Sequence, residues 1–204
     1  MAIAINGSSN TITGIAVGGL PDGIVDTDML AANAVTAAKA SGIGITEADT
    51  WFLTTSFNGD VDPIQNNLSR MTSYGVNYLG TGMSVSSGTW TFPSTGFWRI
   101  SVNFRSTRGS GAQSRFQRIF IKSTINNSDY NPISIADSSF FDNYAVSERT
   151  VSGSASAIFD CTDTSTHKIQ FASGVQDNSA SSNQFIGSSN GGVTTFEFIK
   201  LADT

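Results

Sequence analysis

The chain has 204 residues, which is enough for one domain of ordinary size and a short appendage. Ser (30), Thr (22), Gly (20) and Asn (15) are abundant, whereas only 13% of the residues are charged. This composition favours strands and turns over helices, because Ser, Thr and Asn side chains compete for backbone hydrogen bonds. One cysteine, Cys161, and one histidine, His167, exclude a Cys/His zinc site and a disulfide framework within one chain.

The charge and the apolar runs exclude further classes of protein. A net charge of −5 disfavours general nucleic-acid binding, which depends on neutralising phosphates. No run approaches the 18 apolar residues of a membrane-spanning helix, so we expect no membrane insertion. The segment Met1–Gly7 has neither a positive start nor a long apolar stretch, which argues against export through a signal peptide.

Residues 1–47 differ from the rest of the chain because they contain no aromatic residue. A segment without large apolar side chains cannot form its own core. An approximate ten-residue repeat gives a thin apolar seam of Val25, Leu30 and Val35, which suits several copies meeting along an axis. The alternative is one short helix, Asp28 to Ala40. We predict an N-terminal anchor and short stem, extended or helical, in residues 1–47 and a head domain in residues 48–204.

From Trp51 onward, apolar and polar residues alternate with the period of half-buried antiparallel strands. The clearest case is Trp98 to Arg105, in which the alternate residues Trp98, Ile100, Val102 and Phe104 share one face. Further strands are predicted at 51–57, 89–92, 115–125, 155–159, 167–171 and 193–201. Turns between strands are predicted at Asn58-Gly59, Ser87-Gly88, 93–96, 108–111, Ser152-Gly153 and 190–192. The predicted fold class is therefore all-β, an antiparallel sandwich or jelly roll.

Two stretches of the head resemble a known family. The interval Tyr78 to Val102, with Phe92-Pro93, Gly96 and an aromatic strand, resembles the core motif of the tumour necrosis factor-like and complement globular-head jelly rolls. The interval Val193 to Leu201 resembles the closing strand of that family. The resemblance covers roughly residues 50–202. It implies a jelly-roll head and a homotrimer in which the inner sheet of each protomer faces a threefold axis.

The interval Gly19 to Lys39 resembles short repeats of bacteriophage tail-fibre and other virion proteins, marine ones especially. A thin repetitive stem before a jelly-roll head is typical of phage fibres. The resemblance implies a non-enzymatic virion protein, assembled in the host cytoplasm, which binds other virion proteins through its N-terminal segment. Its head would contact the host surface, in particular a glycan. The alternative is a capsid decoration, head-fibre or tail-assembly protein without a host ligand.

Strand parity predicts part of the trimer interface. If Trp98 to Phe104 fill the core, Arg99 faces outward, and if Phe196 and Phe198 face inward, Glu197, Ile199 and Leu201 face outward. The resemblance implies that these two strands are neighbours in the inner sheet. We expect Arg99 and Glu197 to meet near the threefold axis, with Ile199 and Leu201 as the apolar part of the interface.

Residues 99–122 carry six cations and no anion in an otherwise acidic chain. Arginines in this region suit acidic polysaccharide or phosphate, because a guanidinium binds such groups bidentately. The favoured alternative is pairing with acidic residues on adjacent strands or subunits. The candidate host-binding loops are 105–115, 126–142 and 175–190. Their candidate residues are Arg105, Arg108, Arg115, Tyr130, Phe140, Phe141, Tyr144 and Phe185.

Neither a cofactor nor a metal is expected. Asn58 to Asp62 and Asp160 to Asp163 offer oxygen ligands to calcium, but an Asx-turn is the favoured interpretation of each. Cys161 is expected to be buried, and His167 to be exposed or to partner a turn. A carboxylate pair for glycan hydrolysis, as in a degrading tailspike, is the main enzymatic alternative, yet only Glu47, Glu148 and Glu197 are glutamates.

Overall fold

The structure, a computed structural model, describes residues 4–6, 8, 11–13, 44–109, 114–140, 149–176 and 183–204. The chain divides into two compact units, Met1–Ile43 and Gly44–Thr204. In the first unit, strands β1 (Ala4–Asn6) and β2 (Thr11–Thr13) form an antiparallel pair. The predicted seam of Val25, Leu30 and Val35, and the alternative helix from Asp28 to Ala40, lie outside the described residues.

The second unit, called the head below, contains twelve strands in its described residues. These are β3 (Ala48–Leu53), β4 (Phe57–Asn58), β5 (Leu68–Arg70), β6 (Ser84–Ser86), β7 (Thr89–Thr91), β8 (Gly96–Arg108), β9 (Phe116–Thr124), β10 (Asn131–Ser139), β11 (Arg149–Cys161), β12 (Lys168–Val175), β13 (Asn183–Phe185) and β14 (Thr195–Ala202). The predicted all-β fold class is confirmed. Among the described residues there is no helix of the length and apolarity needed to cross a membrane.

The strands form two antiparallel sheets. The seven-stranded sheet has the order β4-β13-β8-β14-β3-β5, and β11 pairs with β8 along the edge that β14 leaves free. The five-stranded sheet has the order β10-β9-β12-β7-β6. Neighbouring strands are therefore often distant in sequence, because β14 at the end of the chain lies between β8 and β3.

The core lies between the two sheets and follows from the alternation of apolar residues. Trp98, Ile100, Val102 and Phe104 of β8 are at most 2% exposed, as the alternation predicts. Phe196 and Phe198 of β14 are fully buried beside them, also as predicted. The five-stranded sheet contributes Trp90, whose ring packs against Phe171, Phe196 and Phe198 at centroid distances of 4.9 to 6.1 Å. Burial of such rings supplies the main driving force for folding.

One predicted turn and one predicted loop are strands in the structure. Ser152-Gly153 was expected to form a turn but lies inside β11, which spans thirteen residues. Glycine is needed there because a Cβ on Gly153 would lie 2.6 Å from Cε1 of the buried Phe104 ring. The expected loop 126–142 contains β10, an edge strand whose second residue is Pro132. Proline is tolerated there because an edge strand has one unpaired side.

The sandwich has two distinct ends, which the register defines. At the terminal end, Phe97 of β8 pairs with Ala202, and Lys200 N donates to Glu47 O, so both chain ends of the head lie there. At the loop end, Arg108 of β8 pairs with Arg149 and Asn183. The connections β8–β9, β10–β11 and β12–β13 all leave from the loop end.

Candidate subunit interface and loop end

The outward face of the seven-stranded sheet is the face that does not cover the core. On β8 this face presents Phe97, Arg99, Asn103 and Arg105, all exposed, while Ser101 is only 7% exposed. This face therefore has exposed side chains on two neighbouring strands, β8 and β11, on either side of the buried Ser101.

The four predicted interface residues all lie on this face. Arg99 is directly opposite Ile199 of β14 on one side and Ile158 of β11 on the other. Glu197 is opposite Ser101, so it is a diagonal neighbour of Arg99. Leu201 is 44% exposed and adjoins a register shift near Phe97. Whether these residues meet a second protomer stays a prediction.

The terminal-end half of this face carries several exposed apolar side chains. One row across the sheet contains Ile158, Arg99, Ile199, Ala48 and Leu79, which are successive cross-strand partners. In this row Ile158 is 68% exposed and Leu79 is 48% exposed. Together with the exposed Phe97 and Leu201, this row forms a surface that we call the apolar row.

The loop-end half of the same face is polar and grooved. A shallow groove of about 290 Å³ is lined by Arg99, Ser101, Asn103, Ser154, Ala155, Ser156 and Glu197. A second groove of about 400 Å³, nearer the loop end, is lined by residues that include Asn103, Arg105, Ser152 and Val193. Small hydroxyl side chains therefore give this half a low, hydrogen-bonding surface.

The structure separates the predicted host-binding residues into different environments. Arg105 is exposed on β8, and Arg115 is exposed at the loop end, where its backbone N–H donates to Oε1 of Gln176. Tyr130 is half-buried and precedes β10 at the terminal end, the opposite end of the sandwich. Phe141 and Tyr144 lie outside the described residues.

Three of the predicted binding residues are buried instead of exposed. Phe185 belongs to β13, is fully buried and packs against Phe57 and Phe104. Phe140 is 8% exposed, and the Arg108 guanidinium lies 4.9 Å from the centre of its ring. Arg108 is 2% exposed, and its Nη1 donates to the carbonyl of Ser114. Their assignment to exposed binding loops is wrong, because each side chain supports the loop end from inside.

A buried polar layer lies below the loop end. The amide nitrogen of Gln117 donates to the carbonyl of Thr107 and to Oδ1 of Asn183 at 3.1 and 3.0 Å. Gln117 and Asn183 are both fully buried. Sequence reasoning missed this layer because it reads glutamine and asparagine near turns as surface residues.

Two of the six cations of residues 99–122 form ion pairs within the head. Arg118 pairs with Asp137, its direct partner on β10, at 3.0 Å. Lys122 pairs with Asp62 at 2.7 Å. For Arg118 the predicted pairing with an acidic residue of an adjacent strand is confirmed, whereas the partner of Lys122 lies in the connection between β4 and β5.

A second charge cluster was not predicted from the sequence. Asp49 is 3% exposed and accepts hydrogen bonds from Arg70 Nη2 at 3.0 Å, from Trp51 Nε1 at 2.8 Å and from Met83 N at 2.7 Å. The Arg70 guanidinium also lies 4.9 Å from the Trp51 ring and 4.4 Å from the Tyr78 ring. This cluster fixes the long connection between β5 and β6 onto β3.

The candidate calcium loops use their carboxylates within the protein. Asp60 accepts a hydrogen bond from Val175 N at 2.6 Å. Asp163 accepts from the Ser165 hydroxyl and the Ser165 N–H, and these bonds hold its pKa below the ordinary value of 3.8. Asp163 therefore forms the predicted Asx-turn. In the described ranges, no group of three His, Cys, Asp or Glu side chains has the geometry to hold a metal.

Cys161 and His167 have structural surroundings. Cys161 is fully buried, as predicted, and burial raises the pKa of its thiol to about 11. The thiol is therefore neutral at physiological pH. His167 partners the turn before β12, as predicted, with its ring nitrogens 3.1 Å from the hydroxyls of Thr162 and Thr166.

The head is similar to solved structures of the tumour necrosis factor (TNF) fold. Eiger TNF from S. frugiperda superposes with a TM-score of 0.57 at 10% identity, covering 77% of this chain and 93% of that chain. The fold of the head is therefore TNF-like. Two structures of murine APRIL, at pH 5.0 and pH 8.5, superpose on the TNF-like head with TM-scores of 0.51 and 0.50. Each is 10% identical and covers 76% of this chain and 98% of that chain.

Neither a scan against protein-family models nor a search of curated protein sequences found a match. At this level of identity the structural similarity establishes the fold of the head and not its activity.

Proposed function

We propose that this chain is a bacteriophage virion structural protein, a short trimeric fibre or spike whose TNF-like head contacts a host-surface glycan. The observation that carries the proposal is the apolar row beside the chain ends of the head. Ile158 and Leu79 are 68% and 48% exposed there, which is unusual for large apolar side chains grouped on one sheet face. Burial against two further copies of the head removes this surface from water.

The position of the apolar row gives the assembly a polarity. It lies at the terminal end, where residues 44–47 enter the head. Three copies joined there present their loop ends together, at the opposite end of the sandwich. Among the described residues, Arg105 and Arg115 are the predicted binding residues that are exposed toward that end, and guanidinium groups suit the carboxylates and phosphates of bacterial surface polysaccharides.

The virion context is supported by the sequence of residues 19–39, with its resemblance to short repeats of phage fibres. In this proposal residues 1–47 bind other virion proteins and the head makes the host contact. The protein then resides in the virion after assembly in the host cytoplasm.

A second candidate function is a capsid decoration or head-fibre protein without a host ligand. Burial of Phe140 and Phe185 favours it, because two of the aromatic rings expected to stack on sugars are part of the core. A glycan-degrading tailspike has less support. Glu47, one of three glutamates, has Oε2 engaged by the backbone N–H groups of Thr81 and Gly82 at 2.8 and 3.0 Å.

The trimer is tested by native mass spectrometry and sedimentation velocity on the full chain. We expect the unmodified protein to be trimeric and Ile158→Asp to shift it toward monomers, because a carboxylate replaces buried apolar surface. Ile125→Asp is a matched control. Ile125 is equally exposed, at 68%, but follows β9 of the other sheet. A monomeric unmodified protein would refute the proposal.

The host ligand is tested by glycan arrays with the trimeric protein and by immunogold labelling of virions. Saturable glycan binding that weakens in Arg115→Ala, with label on the tail or baseplate, supports attachment. Label confined to the capsid without glycan binding supports the decoration function instead.

A further inference from the structure

Two charged side chains on the outward face, Arg99 and Glu197, have no counter-ion among the residues that the structure describes. Within the described part of the molecule, neither Arg99 nor Glu197 makes an ion pair or a side-chain hydrogen bond. This is unlike Arg118, Lys122 and Arg70, each of which pairs with a carboxylate of the same chain. Arg99 and Glu197 therefore retain their full capacity for charged hydrogen bonds.

If a second copy covers this face, the charged groups of Arg99 and Glu197 lose part of their contact with water. Arg99 stands in the middle of the apolar row, between Ile158 and Ile199. Glu197 is half-buried one row further toward the loop end, beside Ser101. Asp160, the other carboxylate on the outward side near Arg99, lies within 3.5 Å of the Thr204 hydroxyl, which donates to it. A charge covered without a partner is strongly destabilising.

We propose that Arg99 of one protomer forms an ion pair with Glu197 of the next protomer around the threefold axis. The inference rests on the trimer of the proposed function and specifies how its subunits recognise one another. The charged residues that line the groove are one cation, Arg99, and one anion, Glu197. A threefold rotation repeats the same cation-to-anion contact three times and closes the ring. The occupant of the groove is thus a second copy of this chain.

The ion pair sets the orientation of the subunits. Ile158, Ile199 and Leu201 provide apolar area without direction, because hydrophobic burial tolerates small rotations and shifts. A guanidinium and a carboxylate tolerate them much less, since their hydrogen bonds need defined distances and angles. Arg99 in the middle of the apolar row therefore fixes the rotation at which three heads lock together.

Charge reversal and subunit mixing test the pair in the full chain. Arg99→Glu and Glu197→Arg should each raise the concentration at which trimers dissociate by about tenfold or more, because like charges then face each other at every contact. Equal amounts of the two variants, co-expressed with different tags, should form mixed trimers. In a mixed trimer two of the three contacts join opposite charges, so native mass spectrometry should detect mixed trimers above either homotrimer.

The mixing experiment separates this inference from its alternatives. If Arg99 and Glu197 pair within one chain, mixing the two variants does not restore the trimer. Only a chain that carries both reversals then forms stable trimers. Arg115→Glu, an exposed arginine at the loop end, is the charge-matched control and should leave the trimer intact. Unmodified protein that is monomeric overturns the trimer itself. A trimer that both reversals leave unchanged overturns the ion pair alone.

Discussion

At the scale of single residues, the side chain of Asp49 is the centre of a buried hydrogen-bond cluster in the head. It is buried, and both of its oxygens accept hydrogen bonds from Arg70, Trp51 or Met83. Gly82 packs directly against this cluster, since a Cβ there would lie 2.9 Å from both Arg70 Nη2 and Asp49 Oδ2. The cluster therefore demands one aspartate, one arginine and one glycine from three separate parts of the chain.

Replacing Asp49 with alanine should destabilise the head severely. Arg70 would keep its charge in a partly buried site without a counter-ion, and two N–H donors would lose their acceptor. We expect the free energy of unfolding to fall by about 3 kcal/mol or more. Urea denaturation at fixed protein concentration, followed by tryptophan fluorescence, measures this change.

The matched control is Asp137→Ala. It removes a surface carboxylate whose ion-pair distance equals that of Asp49 with Arg70. Asp137 is 46% exposed and pairs with Arg118 at 3.0 Å. An exposed pair contributes about 0 to 1 kcal/mol, so this variant should stay close to the unmodified protein. Equal losses in the two variants would contradict the structural importance of burial at Asp49.

At the scale of elements, the sequence predicts strands well where alternation is strong and local. The alternation of β8 and β14 correctly predicts the buried faces of Trp98 to Phe104 and of Phe196 and Phe198. It fails at Phe185 and Arg108, because the three-residue strand β13 shows no period, and the arginine beside a glycine resembles a turn. Non-local contacts, such as Arg70 with Asp49, leave no periodic signal.

The thirteen-residue strand β11 depends on Gly153. The position faces the core, and the Phe104 ring occupies the space that a side chain would need. Gly153→Ala should lower the free energy of unfolding by about 1 to 3 kcal/mol, since the buried ring must shift. Differential scanning calorimetry measures the change as a lower melting temperature.

Ser154→Ala, at the next position of β11, is the control for this substitution. Ser154 is exposed on the outward face and its change should alter stability by less than about 0.5 kcal/mol. A Gly153→Ala protein as stable as the unmodified one would show that Phe104 relaxes freely.

At the scale of the whole molecule, the division at residues 43 and 44 separates a segment without aromatic residues from a head with a complete core. Among the residues that the structure describes, the buried side chains of the core belong to residues 53–198. The head should therefore fold without the segment that precedes it.

Removal of residues 1–43 tests this independence. We expect the remaining head to keep a β-rich circular dichroism spectrum, a melting temperature close to that of the full chain and a trimeric mass by sedimentation. Folded monomers would show that the N-terminal segment supplies part of the association. An unfolded head would show that the core is incomplete without that segment.

The central position of β14 governs the order of events during synthesis. β14 is the last strand of the chain, yet it hydrogen-bonds to β3 on one side and to β8 on the other. Until the ribosome has released residues 195–202, β3 and β8 have a gap between them and the rings of Trp90 and Phe171 lack Phe196 and Phe198. The head therefore cannot complete its seven-stranded sheet before residues 195–202 have left the ribosome, and until then the nascent chain exposes an unfinished sheet to chaperones and sister chains.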